Sequence, residues 1–178
     1  MRDLTAPQHT RAVLEVNYRC PPDVTALARS ILDATLPAPA EHPTIQVVAS
    51  PSVFHQAAWL GSALRDVQRL DPWASIAVIC RTAEAARAFA RAVRHEVTPR
   101  LALDGLFDFK PGLILTCVAE VKGLEFDLVI VPDATASSFP ETTDSRRALY
   151  VGVTRTTHRL TLASPGALTQ LVALHARC

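Results

Sequence analysis

A three-layer α/β domain, with helices on both faces of a mostly parallel central sheet, is what the sequence predicts. Three observations carry that prediction. Short apolar runs rich in Val and Ile recur at Ile45–Val48, Ser75–Cys80, Leu113–Cys117 and Leu128–Val131. Runs that stay apolar without alternating belong to strands buried on both faces, as in parallel sheets. Between them lie stretches with apolar residues at helical spacing, joined by proline, glycine and aspartate turns. The chain has 178 residues, of which 49% are hydrophobic and 20% charged. That is enough for one domain with a real core, and the composition is ordinary for a globular protein.

Taken in order, residues 1–11 are polar and predict a frayed end, and Val13 to Val16 predicts a short strand ending at Asn17-Tyr18-Arg19. Pro21 and Pro22 open a helix, where proline's missing N–H would have had no partner anyway. Val24, Leu27, Ala28, Ile31 and Leu32 share one face of it. After a proline-rich loop and the strand at Ile45, a helix runs from about His55 to Leu70, with Leu60, Leu64 and Val67 on one side, and stops at Asp71-Pro72. The apolar strand Ser75–Cys80 reads as central. Thr82 is placed to cap the next helix, in which Ala86, Phe89, Ala90 and Val93 face inward while Arg87, Arg91 and Arg94 fall elsewhere. LALDGLFDF reads either as a short hairpin around Asp104-Gly105 or as a loop with one edge strand. From Leu113 onward the pattern is strand, tight turn (Lys122-Gly123-Leu124-Glu125-Phe126), strand, polar loop, helix ending at Thr154-Arg155, and closing strand. A final helix is expected to turn Leu168, Leu171 and Val172 inward. The alternation predicts right-handed crossovers.

The net charge of +1 gives no global electrostatic signature of a nucleic-acid binder, so any such contact must come from a local strip of donors. Cys20, Cys80, Cys117 and Cys178 form no CxxC pair, which argues for reduced thiols over a metal site or a disulfide framework. The amino terminus lacks the apolar core of a signal peptide, and no apolar run approaches the ~18 residues of a membrane span. A cytoplasmic protein is expected.

In open α/β sheets the functional groups lie in loops beyond the carboxyl ends of the strands, so the KGLEF turn and Arg155 are candidates for one shared site. Gly123 permits a positive φ or a close backbone approach. Glu125 offers two acceptor oxygens suited to a sugar hydroxyl. Lys122 serves either phosphate binding or an exposed turn, and Leu124 and Phe126 are wedge residues packing the turn on the core. The sequence has no GxxxxGK[ST] phosphate loop and no strand ending in a paired acidic Walker B motif. Without that cradle and a carboxylate-linked magnesium ion, the chain has no means of turning ATP over by itself.

KGLEFDLVIV followed by RRALYVGVTRTTHRLTL resembles motifs V and VI of the UvrD/Rep-type superfamily 1 DNA helicases, and LEVNYRCP resembles their motif IV. The three stand in the family's order and span most of the chain. The resemblance implies the second, RecA-like (P-loop NTPase-like) motor domain, as a single domain over residues 1–178. It implies that Arg19 and Arg155 are arginine fingers pointing across an interdomain cleft at the ATP γ-phosphate. A guanidinium suits that role, being permanently charged and able to make paired hydrogen bonds to phosphate oxygens. Tyr18 would stack on adenine, or else pack at the end of its strand; Glu125 would reach the ribose, with Lys122 and Gly123 beside it. Thr116 would contact the DNA strand. Arg81 matches a position near the nucleic-acid track, or is a solvated arginine at a strand end. Where the family has a histidine in motif V this chain has Ala119, followed by Glu120, which removes a donor and adds negative charge near a polyanion. The short interval from Arg94 to Gly112 leaves no room for the accessory domain many relatives insert, so the chain resembles the compact members, among them translocases that act on RNA polymerase. The implied cofactor is ATP, its Mg²⁺ held by a separate Walker A/B domain. That domain and single-stranded DNA are the implied partners, with no membrane. A stand-alone, non-catalytic binding or regulatory module that kept the fold and lost the motor is the alternative, favoured by Ala119 and Glu120.

Overall fold

The structure is a computed structural model and describes residues 19–37, 39, 43–108 and 110–172. The strand expected at Val13–Val16, together with Tyr18 and Cys178, lies outside the described residues. The elements are α1 (Pro22–Leu32), β1 (Ile45–Ser50), α2 (Val53–Leu70), β2 (Ser75–Cys80), α3 (Ala83–Val93), β3 (Arg100–Leu101), β4 (Gly112–Cys117), β5 (Phe126–Val131), α4 (Thr143–Val153) and β6 (Thr156–Pro165). The strands form one sheet in the order β1-β6-β5-β2-β4-β3, with every pairing parallel.

Strand alternation divides the core in two. Along β2, Ile76, Val78 and Cys80 join the cluster under α2 and α3 with Leu60, Leu64, Ala86 and Leu115. Ala77 and Ile79 join the cluster under α1 and α4 with Val24, Leu27, Leu149 and Leu160. This is why the central strands read as continuous apolar runs: each of them must satisfy both faces, whereas the edge strands β1 and β3 are largely exposed or half-exposed. Three helix starts carry the caps their sequences announce. Ser52 accepts from the His55 N–H, Thr82 from that of Ala85, and Thr142 from that of Ser145, each satisfying a backbone donor that the first turn leaves open.

Two connections shape the sheet around β4. Arg100–Leu101 is an edge strand parallel to β4, followed by a left-handed turn at Asp104 and Gly105 (φ 58° and 75°). Of the two expectations for this stretch, the loop with one edge strand is therefore the one observed. Residues 118–125 carry the chain from the carboxyl end of β4 to the amino end of β5, on the far side of β2. A crossover usually needs a helix and at least 10–12 residues; here successive turns do the work. Val121 is buried, and Val118 and Leu124 pack on the α1/α4 cluster.

The expected last helix is corrected. Within the described residues Leu168 forms an isolated antiparallel bridge with Thr135. The Thr169 N–H donates to the Ala134 carbonyl at 2.8 Å, and its hydroxyl to the Phe139 carbonyl at 2.6 Å. Leu171 and Val172 are buried as expected, but these bonds to the 134–139 loop tie the segment down in non-helical form. Among the described residues no helix is long and apolar enough to cross a membrane.

Candidate functional site

Three residues far apart in sequence meet on one rim. Arg19, just before α1, makes an ion pair with Glu125 through its Nε, with the two side chains 48% and 42% exposed. Arg155 follows the last turn of α4. Its Nε donates to the Val151 carbonyl at 3.1 Å, its Nη1 to the Leu124 carbonyl at 3.3 Å and its Nη2 to the Thr154 hydroxyl at 3.3 Å. The guanidinium therefore rests on the peptide immediately before Glu125. Backbone bonds fix this meeting: the Phe126 N–H donates to the Arg155 carbonyl at 2.9 Å, because Phe126 and Thr156 stand opposite each other at the start of paired strands. The third tie is Cys20. Buried next to Arg19, its thiol donates to the carbonyl of Thr154, next to Arg155, at 3.2 Å. One thiol thus joins the backbones that carry both arginines.

The rim lies at the amino ends of β5 and β6, which corrects the expectation of a site at the carboxyl ends. Glu125 and Arg155 each directly precede a strand, so parallel pairing places them together at that edge. Lys122 is exposed on the crossover. Gly123 has a φ of 85° and open space where a Cβ would stand, so its backbone conformation, rather than crowding, calls for glycine. A small cavity of about 130 Å³ adjoins Glu125, with Phe107, Lys110 and Phe126 among its walls. A larger one, about 480 Å³, lies between α2 and strands β1, β5 and β6. Its walls are mainly apolar, Arg159 being the charged residue among them, and it touches none of the rim.

The two candidates for nucleic acid stand at the opposite edge, one strand length (~20 Å) away. Thr116 is 0% exposed, which corrects its assignment as a direct phosphate contact: a surface phosphodiester does not reach it. Its hydroxyl has no hydrogen-bond partner among the described residues. Arg81 is not a solvated arginine either. Its side chain is 22% exposed, its Nη2 pairs with Asp144 at 2.6 Å and its guanidinium carbon lies 5.3 Å from the Phe139 ring centre. Its Nη1 is buried without a partner among the described residues. Glu120 accepts a hydrogen bond from the Gly105 N–H at 3.1 Å, so it anchors the 104–105 turn.

Comparison with known proteins bears on this geometry. Residues 112–163, from β4 to β6, match the sequence model of the UvrD-like helicase C-terminal domain. That stretch, under a third of the chain, is similar to the UvrD-like helicase C-terminal domain. The fold agrees with the crystal structure of the C-terminal domain of a possible DNA helicase from Lactobacillus plantarum WCFS1. The two superpose with a TM-score of 0.72 at 24% identity, over 89% of this chain and 93% of that one. Comparison with curated proteins finds no match.

Beyond the UvrD-like motifs, sequence reasoning missed two contributors. Cys20 reads in sequence as one more reduced thiol, and only its contact with Thr154 gives it a part in the rim. Asp127, the residue after KGLEF, accepts from the Ser75 N–H and hydroxyl, both at 2.8 Å, and faces His158 Nδ1 at 3.3 Å. It thereby joins the starts of β2, β5 and β6. Its carboxyl is partly desolvated, which works against ionisation, but the Ser75 bonds and the His158 charge outweigh this and hold it below the ordinary 3.8. Cys80 is no nucleophile, since burial, then the Asp133 charge, pushes its thiol up to about 12. Among the described residues no cluster of three His, Cys, Asp or Glu side chains is arranged to hold a metal ion.

Proposed function

We propose that the chain is the second motor domain of a UvrD-like, ATP-dependent DNA helicase or translocase. In this reading it lends arginine fingers and a sugar contact to a nucleotide whose phosphates and magnesium ion are held by a separate Walker A/B domain. The observation that carries the proposal is the convergence of Arg19, Glu125 and Arg155 on one rim. Half-exposed guanidinium and carboxylate groups beside a glycine that fronts open space suit the outer side of an anionic nucleotide. Bound ATP supplies the phosphoryl group whose transfer drives the cycle. Arg19 and Arg155 neutralise charge on that group, Glu125 accepts from the ribose, and Lys122 adds a nearby cation. Tyr18, next to Arg19 in sequence, takes the adenine face. Attraction of both arginines to phosphate closes the cleft between the two motor domains, and loss of that attraction after hydrolysis reopens it.

The single-stranded DNA track is assigned to the carboxyl edge, where Arg81 is the remaining candidate donor. A second reading, a stand-alone regulatory module, is favoured by Ala119 and by the burial of Thr116. The two readings part in one experiment. Pure chain should hydrolyse no ATP, whereas mixing it with a UvrD-like Walker A/B domain should give DNA-stimulated hydrolysis. Arg155→Ala should lower that stimulated rate about a hundredfold or more, given what arginine fingers contribute. Absence of stimulation with intact binding of the two domains supports the module, and robust metal-dependent turnover by the pure chain overturns the division of labour.

A further inference from the structure

Two groups assigned to different parts of the nucleotide are paired with each other in the structure. Arg19 is held by Glu125, and Glu125 has no other hydrogen-bonding or charged partner among the described residues. Arg155 differs: it rests on the Val151 and Leu124 carbonyls and the Thr154 hydroxyl, all neutral acceptors. We infer that the Arg19–Glu125 ion pair is a latch on the rim, which a phosphate chain must open by exchanging Arg19's carboxylate partner for phosphate. The inference rests on the nucleotide-rim reading above and extends it to how that rim is controlled.

The physical case is one of competition. A pair this exposed is weak and easily exchanged, whereas a triphosphate concentrates several charges in one place and suits the forked donors of a guanidinium. A phosphate chain engages Arg155 without displacing any carboxylate, so Arg155 takes it first. Arg19 follows only as it leaves Glu125, and that departure frees both carboxylate oxygens for a sugar hydroxyl. Phosphate and sugar recognition are then linked by a shared residue pair. A ligand with phosphates but no sugar opens the latch and leaves Glu125 without a new partner.

Inorganic tripolyphosphate is therefore the probe. It is titrated into the full chain while the arginine Nε–H resonances of Arg19 and Arg155 are followed by nitrogen-resolved NMR, with ATP titrated in parallel. Glu125→Gln removes the competing charge and should tighten tripolyphosphate binding about two- to fivefold, the range an exposed ion pair spans. In an Arg19→Gln background the same change should give no gain. A gain that survives there reflects general loss of negative charge acting through Arg155, and the latch is wrong. Equal binding by wild type and Glu125→Gln also overturns it, while an ATP response at Arg19 and Arg155 leaves the rim reading in place. If neither ligand perturbs either arginine in any variant, the latch is wrong, while the rim reading is decided by the two-domain hydrolysis assay.

Discussion

At the scale of single residues, backbone conformation and burial decide what each candidate is able to do. Gly123 holds a left-handed φ of 85°, which an L side chain adopts at a cost of roughly 1–2 kcal/mol. Gly123→Ala should lower stability by that amount, a Tm shift of a few degrees for a chain of this size, measurable by thermal unfolding. An unchanged Tm would show the turn to be free to relax. Glycine at this position was legible in the sequence, whereas the sheet edge on which Glu125 stands was not. The fate of Thr116 was not legible. A threonine near a strand end looks the same in sequence whether its hydroxyl faces solvent or the core. Its register opposite Ile79 turns it toward the α1/α4 face, where it is sealed.

At the scale of elements, the rim is made by strand starts and helix ends. Asp127 ties β5 to β2 through Ser75 and to β6 through His158. Because its folded carboxyl titrates below the ordinary 3.8, it adds stability at every pH above that value. The contribution is lost as pH falls below it toward the folded value, since protonation then favours the unfolded chain. Asp127→Asn should therefore be less stable than wild type at pH 7, and the gap should narrow as pH drops below about 4. Chemical denaturation at a series of pH values checks this, and a gap constant with pH would assign Asp127 a purely steric part. Helix and strand identities were readable from the sequence because caps and apolar runs are local signals. The 118–125 crossover and the non-helical 168–172 segment were not, since partners distant in sequence fix their conformation.

At the scale of the molecule, both core clusters draw on the same strands, so the two faces should unfold together. Leu115 is buried under α2 and α3, and Leu160 under α1 and α4. Each leucine-to-alanine change should cost about 2–5 kcal/mol. The costs should add to within about 0.5 kcal/mol in the double variant, because the sites lie on opposite faces. A single transition in every variant is the expected calorimetric result, and two separated transitions would divide the sheet into independent units. The same architecture separates the two edges. The candidates Arg19, Glu125 and Arg155 gather at the amino ends and Thr116 and Arg81 at the carboxyl ends, with the length of β2 and β5 between them.

The sequence alone determined the layer architecture, the strand and helix order from Ile45 to β6 and the motifs that name the rim, because hydrophobic period, capping and turn chemistry act over a few residues. Only the tertiary structure decided which edge of the sheet the rim occupies, that Arg19 and Glu125 pair, that Cys20 bridges to Thr154 and that Thr116 is shut away. Each of these depends on contacts between segments up to more than a hundred residues apart. Strand register sets them for the edge and Thr116, and the way the chain before α1 meets the end of α4 and the 118–125 crossover sets them for Arg19 and Cys20.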